Sequence, residues 1–447
     1  PSPPSSSPAT SAPNSVNFAI LTPGTGSYYC GACMRDNALA KSLHAAGHEV
    51  SLLPMYLPLQ LDEAQLPTAD NPIFFGGINV FLQQKLPNLR VPPFLHKLLN
   101  NTTLLRSAAK RSHMTSAREH GEMALAMLRL EESPFGHEME KLIRWLTQEK
   151  PDVLILGTAL QAGMIRTIQQ RLDVKIICCF QGEDSFLDGL PQPFKNDCWN
   201  ELTQRLTEAD TLVSPSQFYA DLMRHRLQLP DLPIEVIPNG ITVPSLPSPR
   251  APQAKTPPTI GYLARMIREK GVHHLVEAFI HLRHELKHPN ARLHIAGAVT
   301  AGDDTLVAEL KKQLTAANLT EAVTWSPNVS FEEKQSLLSG FTLFSVPATY
   351  PEAFGLYLIE ALAAGTPVVQ PDASSFREIV SQSNGGHLVV PNNPKALAEA
   401  WNSLLSQPDK LQQLGHDAHQ AVRKHYGVDT MRDRYVSLAN RLLQTPS

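Results

Sequence analysis

The segment 345–369 constrains the fold more than any other part of the chain; its sequence is SVPATYPEAFGLYLIEALAAGTPVV. Residues 343–346 are apolar and partly β-branched, which predicts a buried parallel strand. Pro351 and Glu352 favour a helix start, an apolar stripe at helical spacing follows, and Gly365 predicts the helix end before a second strand. Such a unit places the helix start at the carboxyl ends of the strands, where open α/β sheets bind ligands.

Two carboxylates, Glu352 and Glu360, belong to this predicted helix, with seven residues between them. Eight residues of helix rise about 12 Å, roughly the distance from a sugar to the ribose of a nucleotide diphosphate-sugar. A diphosphate can bind to backbone N–H groups of a first helical turn, which have few internal partners. Here those groups belong to Ala353, Phe354, Gly355 and Leu356.

The E-x7-E spacing in the context PEAFGL…EALAAGTPVV resembles the signature of the retaining glycosyltransferases of family 4, which have the GT-B fold. The resemblance covers about residues 16–445 and is stronger after 256 than before 240. It implies an α/β chain of two facing Rossmann-like domains with a deep cleft between them. It also implies that Glu352 lies at the sugar and Glu360 at the ribose, with donor contacts from 354–356. The spacing alone also fits an amphipathic helix with two solvated glutamates.

Length and composition fit two soluble domains. The 447 residues predict two domains of about 200 residues each, and 42% hydrophobic with 18% charged residues is ordinary for a globular protein. The net charge of −3 gives no attraction to nucleic acid, and no apolar run is long enough to span a membrane. The start of the sequence lacks the features of a secretory signal, so we expect a cytoplasmic protein.

The alternation of strands and helices predicts the domain boundaries. A Pro/Ser-rich tail at 1–15 is expected to be disordered. An acceptor-side domain at 16–242 and a nucleotide-sugar-binding domain at 259–424 are expected on either side of a linker at 243–258, which is rich in Pro and Ser. The resemblance implies that helices at 425–447 cross back onto the first domain.

A glycine-containing loop, Pro23 to Ser27, follows the first predicted strand, and Asp36 is expected to cap the next helix. The resemblance implies that Gly24 and Gly26 face the cleft and contact the acceptor or the donor phosphate. A simple tight turn is the alternative, and the spacing does not match a dinucleotide-binding fingerprint.

A second candidate on the acceptor side follows the strand KIICCF, which delivers Glu183 and Asp184 to the edge of the sheet. Either carboxylate is suited to orient an acceptor hydroxyl, and either is equally suited to cap the following helix. The acceptor itself is an unknown hydroxyl compound.

Arg265 and Lys270, in the pattern R-x4-K before a glycine, resemble the cations that hold the leaving diphosphate in this family. Two cations can neutralise a diphosphate without a metal ion. No Asp-x-Asp follows a strand, so neither a metal ion nor another cofactor is expected beyond the nucleotide-sugar. The resemblance assigns structural support to Glu378 in the element E-I-V.

Two features stand apart from this assignment. Cys30 and Cys33 form a C-x-x-C whose thiols we interpret as packing groups, with a redox or metal role as the alternative. Basic residues recur through 85–118 with apolar residues between them, which is typical of a surface that meets anionic lipid at the inner face of a membrane. One or two helices that cover the sheet with a solvated basic face are the other interpretation.

The expected activity is therefore transfer of a hexosyl group from a nucleotide diphosphate-sugar, with retention, to a saccharide, lipid or other hydroxyl acceptor. A phosphorylase or sugar-nucleotide epimerase on the same fold is one alternative. A binding subunit without catalysis is the other.

Overall fold

The computed structural model describes residues 15–24, 31–57, 59, 61, 73–75, 117–243, 257–299 and 302–444. These residues form two six-stranded sheets, in which every pair of neighbouring strands is parallel. Helices connect successive strands in both sheets. The prediction of an α/β chain with two Rossmann-like domains is confirmed.

The first sheet has the strand order β2-β1-β3-β4-β5-β6. Its strands are β1 Asn17–Thr22, β2 Glu49–Pro54, β3 Val153–Leu156, β4 Lys175–Cys179, β5 Thr211–Ser214 and β6 Ile234–Val236. Its α-helices are α1 Gly31–Ala45, α2 Ala117–Leu128, α3 Gly136–Glu149, α4 Ile165–Arg171, α5 Glu183–Asp188, α6 Phe194–Leu206 and α7 Gln217–Leu227. Short 3-10 helices lie at Leu130–Glu132 and Ala159–Met164.

The second sheet has the order β12-β11-β10-β7-β8-β9. Its strands are β7 Thr259–Leu263, β8 Arg292–Gly297, β9 Val323–Pro327, β10 Leu343–Phe344, β11 Val368–Pro371 and β12 Gly386–Val389. The α-helices that follow β7 are α8 Val272–His284, α9 Asp304–Ala316, α10 Phe331–Gly340, α11 Leu356–Ala363, α12 Phe376–Ser383, α13 Pro394–Leu405, α14 Pro408–His425 and α15 Val428–Gln444. Short 3-10 helices lie at Arg268–Lys270 and Thr320–Ala322.

Strand order explains why distant parts of the sequence meet. In the second sheet β10 pairs with β7, with Leu343 opposite Ile260 and Phe344 opposite Gly261. Because the strands are parallel, the loops that leave their carboxyl ends emerge side by side. One of these loops carries Arg265 and Lys270, and the other carries Glu352. The order also reverses beside β7, which makes this edge a topological switch point where ligands bind.

The last helix belongs to the core of the first domain. Its residues Met431, Tyr435, Leu438 and Ala439 pack in one buried cluster with β1, β3 and β4. The chain reaches that position beside the point where it leaves the first domain: Ile241 forms a parallel bridge with Gly427. The backbone N–H of Ile241 donates to Tyr426 at 3.0 Å, and that of Val428 donates to Ile241 at 2.8 Å. The two crossings between the domains therefore run together.

The expected capping role of Asp36 is wrong. Helix α1 begins at Gly31, so Asp36 lies inside it, fully buried and 2.9 Å from the guanidinium of Arg35. Burial raises the pKa of Asp36, against the opposing charge of Arg35. Helix α1 therefore begins earlier in the sequence than a cap at Asp36 would require. Asp36 instead forms a buried ion pair with Arg35.

Some predictions concern residues that the structure does not describe. The tail at 1–14, most of the linker at 244–256 and the basic segment up to residue 116 lie outside the described residues. Arg118, at the end of the basic segment, is exposed and pairs with Glu122. Among the described helices, none combines the length and apolarity needed to cross a bilayer.

Candidate functional site

The loop between β10 and α11 forms the centre of the candidate site, and its conformation differs from the prediction. Helix α11 begins at Leu356 rather than at Pro351, after Gly355 in a left-handed conformation with φ +85°. The reason lies in Ser375, whose single hydroxyl proton is shared between the carbonyl oxygens of Glu352 at 3.0 Å and Phe354 at 2.8 Å. These carbonyl groups are thereby held away from helical hydrogen bonding. Glu352 and Glu360 do not share one helix, so a helical rise does not set their separation.

The backbone N–H groups of this loop remain suited to an anion. Ala353, Phe354 and Gly355 donate no backbone hydrogen bond to any residue that the structure describes. The side chain of Phe354 is buried and meets the ring of Tyr426 edge-on at 5.9 Å, so its contact with a ligand would be through the backbone. The left-handed turn at Gly355 is a conformation in which a side chain would be strained.

The carboxylate of Glu352 lies in a cluster of donors that converge on one of its oxygens. Oε2 accepts from the Lys270 ammonium at 2.5 Å, the Tyr350 hydroxyl at 2.7 Å and the Tyr357 hydroxyl at 2.8 Å. Burial opposes ionisation of Glu352, but the charge of Lys270 and the three hydrogen bonds outweigh it and lower the pKa of this carboxyl. Glu352 is therefore a buried, ionised group.

Lys270 reaches this cluster because its loop packs tightly under β10. The following residue, Gly271, has φ +72°, and a Cβ there would lie 1.8 Å from the carbonyl oxygen of Pro347. Only glycine fits this contact. The Lys270 ammonium also lies 4.9 Å from the ring centres of both Tyr350 and Tyr357, within the range of cation–π attraction. The prediction that Lys270 and Glu352 belong to one site thus has a geometric basis.

Arg265 occupies the start of the same loop and faces solvent more openly. Its guanidinium pairs with Asp303 at 3.2 Å, and its side chain is 48% exposed, whereas that of Asp303 is 6% exposed. Its backbone is fixed by Tyr262, whose hydroxyl donates to the carbonyl oxygen of Arg265 at 2.8 Å. Burial raises the pKa of the Tyr262 hydroxyl, and the nearby negative charge of Glu352 raises it further. Arg265 is thus a half-exposed cation that is held in place by a buried carboxylate.

Glu360 lies at the other end of the site, in a pocket between the two domains. Its Oε1 accepts from the Lys334 ammonium of α10 at 2.7 Å, and both side chains are largely buried. Leu356, Glu360 and Ala363, on one face of α11, line the pocket together with α1 and residues 240–242. Sequence analysis did not identify Lys334, because a lysine on an amphipathic helix is usually solvated.

The glycine loop of the first domain is described only in part. Gly24 has φ +71°, and a Cβ there would lie 1.8 Å from the carbonyl oxygen of Leu57. Gly26 and Cys30 lie outside the described residues. At the start of α1, a Cβ on Gly31 would lie 3.4 Å from the side chain of Leu356. The start of α1 therefore approaches α11 across the cleft.

Glu183 and Asp184 both lie in the first domain with their side chains engaged by protein groups. Glu183 accepts from the Thr158 hydroxyl at 2.7 Å and from three backbone N–H groups, those of Ala159, Gln181 and Gly182. Asp184 accepts from the Tyr219 hydroxyl at 2.7 Å, and burial raises the pKa of this carboxyl. Neither residue is the N-cap itself, because Gly182 precedes α5, but the Asp184 carboxyl also accepts from backbone N–H groups in the first turn of this helix.

Two polar contacts join the domains beside the site. The Ser216 hydroxyl donates to the carbonyl oxygen of Ala353 at 2.7 Å. The Glu378 carboxylate accepts from the backbone N–H groups of Gln217 at 3.0 Å and Phe218 at 2.5 Å. Glu378, in the second domain, thus binds unpaired N–H groups in the first turn of α7, a helix of the first domain. The positive end of the helix dipole favours a carboxylate at this position.

The described residues include only part of what the metal and thiol alternatives concern. No three His, Cys, Asp or Glu side chains among them are grouped closely enough to share a metal ion. Cys33 is a fully buried residue of α1. The cysteine pair as a whole is not described.

Sequence analysis missed the residues that hold the site in place. Tyr350, Tyr357, Ser375 and Asp303 all contact a predicted residue, but none forms a recognisable pattern with it. The one available signal was proximity in sequence, since Tyr350 lies two residues before Glu352 and Tyr357 five residues after it.

Comparison with known proteins identifies two matching family models. Residues 117–243 match the model described as Glycosyltransferase Family 4, and residues 248–421 match that of Glycosyl transferases group 1. A glycogen synthase of Mycobacterium tuberculosis is 29% identical over 50% of this chain and 52% of its own length. A phosphatidyl-myo-inositol mannosyltransferase of Mycobacterium leprae is 31% identical over 42% and 49%. The matches span about half the length of these curated relatives.

Solved structures match over nearly the whole chain. A sucrose-phosphate synthase from Thermosynechococcus elongatus has a TM-score of 0.70 and 18% identity, covering 95% of this chain and 99% of its own. Anabaena HepE in complex with UDP-glucose has a TM-score of 0.62 and 16% identity, covering 95% and 100%. At these identities the likeness establishes the fold, which is GT-B.

Proposed function

The chain belongs to the group 1 glycosyltransferases, and we propose that it transfers a hexosyl group from a nucleotide diphosphate-sugar to a hydroxyl acceptor. Transfer proceeds with retention at the anomeric carbon and needs no metal ion. The acceptor is a saccharide, a lipid or another hydroxyl compound, and the protein works in the cytoplasm.

The observation that carries this proposal is the meeting of opposite charges at one sheet edge. Lys270 and Glu352 form a buried ion pair there. Arg265 lies close by, in the loop that follows the neighbouring strand β7. The loop that holds Glu352 also presents the N–H groups of residues 353–355 without backbone partners among the described residues. Cations and free N–H groups suit a diphosphate, and a buried ionised carboxylate suits a sugar that becomes positively charged.

The donor roles follow from these positions. Arg265 and Lys270 bind the diphosphate, with the N–H groups of Phe354, Gly355 and Leu356 nearby. Glu360 accepts from the ribose hydroxyls, and Glu352 from a hydroxyl of the sugar. HepE holds UDP-glucose in a protein of the same fold, so UDP-sugars are the first donors to test.

Chemistry then requires one bond exchange. The acceptor oxygen forms a bond to the anomeric carbon as the bond from that carbon to the phosphate oxygen breaks. The leaving phosphate oxygen takes the acceptor proton, and Arg265 and Lys270 stabilise the charge that develops on the diphosphate. Attack and departure occur on the same face, which preserves the anomeric configuration.

The first domain supplies the acceptor side. Gly24 and Gly26 are assigned to phosphate or acceptor contact. Asp184, whose pKa burial raises, is better placed for this side than Glu183, which accepts several hydrogen bonds from the protein. The basic segment 85–118 keeps two interpretations, peripheral contact with an anionic membrane and helices that cover the sheet with a solvated basic face.

A panel of nucleotide-sugars in a thermal-shift assay tests donor binding, because a ligand that binds the folded state raises its apparent stability. Purified protein with the best donor should release nucleoside diphosphate, and release should accelerate when the acceptor is added. Metal chelation should leave the rate unchanged. Interconversion of sugars without release would identify an epimerase, and phosphate-dependent sugar release a phosphorylase. Binding without any turnover would identify a non-catalytic subunit.

A further inference from the structure

The two oxygens of the Glu352 carboxylate have different environments. Oε2 accepts all three hydrogen bonds from Lys270, Tyr350 and Tyr357. Oε1 accepts none from the residues that the structure describes. A carboxylate has about four lone-pair sites, two on each oxygen. The three donors occupy the sites on Oε2, whereas the sites on Oε1 stay available to a ligand. The asymmetry fixes which oxygen a ligand meets.

The two tyrosines can act on Glu352 only as donors. Burial, together with the negative charge of Glu352, raises the pKa of both Tyr350 and Tyr357 well above the ordinary value. Both hydroxyls are therefore protonated at any physiological pH. Tyr350 also accepts from the Lys270 ammonium at 2.5 Å, so its proton is directed toward Glu352.

The rings of these residues restrict movement of the cluster. Tyr350 precedes Glu352 in the loop, and Tyr357 lies in the first turn of α11, so the two hydroxyls approach Oε2 from different elements. The Tyr357 ring packs edge-on against Phe376 at 6.4 Å and is tilted against Phe344 at 6.4 Å. Rotation of the Glu352 carboxylate would break three hydrogen bonds at once.

We propose that Tyr350 and Tyr357 are positioning residues, which hold Oε2 of Glu352 so that Oε1 is presented to a hydroxyl of the transferred sugar. This inference rests on the proposed function, since it deepens the role of Glu352 in sugar transfer. The tyrosines themselves touch neither the sugar nor the diphosphate.

Other titratable groups lie near the cluster. Lys270 is the cation in direct contact. Tyr262 lies in β7, and the charge of Glu352 adds to burial in raising its pKa. Asp184 lies in the first domain, and its charge contributes to the raised pKa of Tyr350. These groups stay in place when either tyrosine is replaced by phenylalanine, which removes a hydroxyl and retains the ring.

The first experiment follows Glu352 without any ligand. In protein labelled with carboxyl-¹³C glutamate, the Glu352 signal is identified by its absence in Glu352→Gln, and its shift is followed against pH. Tyr350→Phe and Tyr357→Phe should each raise the titration midpoint by about one pH unit, because each removes a donor to the ionised form. Tyr426→Phe is the matched control: it removes a buried hydroxyl that donates to Gln382 and leaves Glu352 untouched.

The second experiment measures transfer with UDP-glucose, or with the best donor of the panel. The acid limb of the kcat/KM profile should move up by the same amount in the two phenylalanine variants. On the plateau, kcat should fall by roughly tenfold with donor KM within about twofold, since orientation of the carboxylate matters most as charge develops. Tyr426→Phe should match the wild type in both respects.

The outcomes separate this inference from the proposed function. Unchanged titration midpoints in folded Tyr350→Phe and Tyr357→Phe would overturn the inference, whether or not the protein transfers sugar. Shifted midpoints with unchanged kinetics would limit the tyrosines to stabilising the ion pair, and would also overturn it. A wild type that binds no nucleotide-sugar would instead reject the proposed function. Circular dichroism verifies the fold of each variant.

Discussion

The ammonium of Lys270 lies 2.5 Å from Oε2 of Glu352, so the cation assigned to the diphosphate is already paired with the carboxylate assigned to the sugar. The other cations of the site show the same arrangement: Arg265 pairs with Asp303, and Lys334 with Glu360. A donor that carries a diphosphate therefore enters a site whose charges are balanced. Lys270 must contact the phosphate while it remains beside Glu352.

This pairing gives Lys270→Ala two separate effects. It should weaken UDP binding by about 1.5–3 kcal/mol, the range for hydrogen bonds to charged groups. It should also destabilise the fold by about 3 kcal/mol, because the buried charge of Glu352 loses its only directly bonded cation among the described residues. Calorimetry and urea denaturation measure the two effects. Adding Glu352→Gln should restore stability without restoring affinity, and a double variant with normal UDP affinity would exclude Lys270 from the diphosphate site.

Arg265→Ala should weaken UDP binding by a similar amount, about 1.5–3 kcal/mol. Stability should also fall, because the largely buried Asp303 carboxylate loses this cation. Arg268→Ala is the matched control: it removes a cation from the same loop, one that pairs with Glu309 at the surface. Equal losses of UDP affinity in both variants would indicate a general effect of charge rather than a specific contact.

Glu352 and Glu360 should differ in their kinetic effects. Glu352→Gln retains the shape but removes the charge, and kcat should fall by roughly 100-fold, equivalent to about 2.7 kcal/mol of transition-state stabilisation. Glu360→Ala should raise donor KM with kcat nearly intact, because the ribose does not change during transfer. Steady-state kinetics with the true donor distinguishes them. If both variants only raise KM, Glu352 is a binding residue.

The pair formed by Lys334 complicates the Glu360 variant and calls for its own control. Glu360→Ala leaves the Lys334 ammonium without its carboxylate in a largely buried position, which lowers stability as well as affinity. Glu360→Ala combined with Lys334→Met should recover thermal stability and keep the raised KM. Recovery of KM together with stability would show that Glu360 acts through folding alone.

The basic segment 85–118 makes a prediction that depends on salt. If it meets a membrane, the protein should co-sediment with vesicles containing phosphatidylserine and be released at about 1 M salt, where charge attraction is screened within roughly 3 Å. Neutral phosphatidylcholine vesicles are the control. Sedimentation that ignores lipid charge would favour helices that cover the sheet, and with them a soluble acceptor.

Sequence patterns were sufficient where the determining contacts are local or repeat along the chain. Strand and helix alternation predicted both sheets, and R-x4-K before Gly271 predicted a loop that the structure places beside Glu352. The start of α11 could not be predicted, because it depends on Ser375, twenty-three residues after Glu352 in sequence. Local preferences of Pro351 and Glu352 indicated a helix, and a distant hydroxyl changed the outcome.

The residues that sequence analysis missed could not be predicted for the same physical reason. Lys334 and Glu360 are twenty-six residues apart, and Arg265 and Asp303 thirty-eight, so neither pair leaves a periodic signal. Asp36 was misassigned for a different reason: aspartate is common at helix starts, and nothing in its neighbourhood indicates burial beside Arg35. Side-chain partners across a sheet require the fold before they can be named.

The position of α15 has a consequence for how the protein is synthesised. A first domain usually folds while the rest of the chain is still being made. Here Met431, Tyr435 and Leu438 complete the core around β1, β3 and β4. Until residues 428–444 leave the ribosome, apolar surface on that face of the first sheet is uncovered. The core of the first domain is therefore completed only after the second domain has been synthesised.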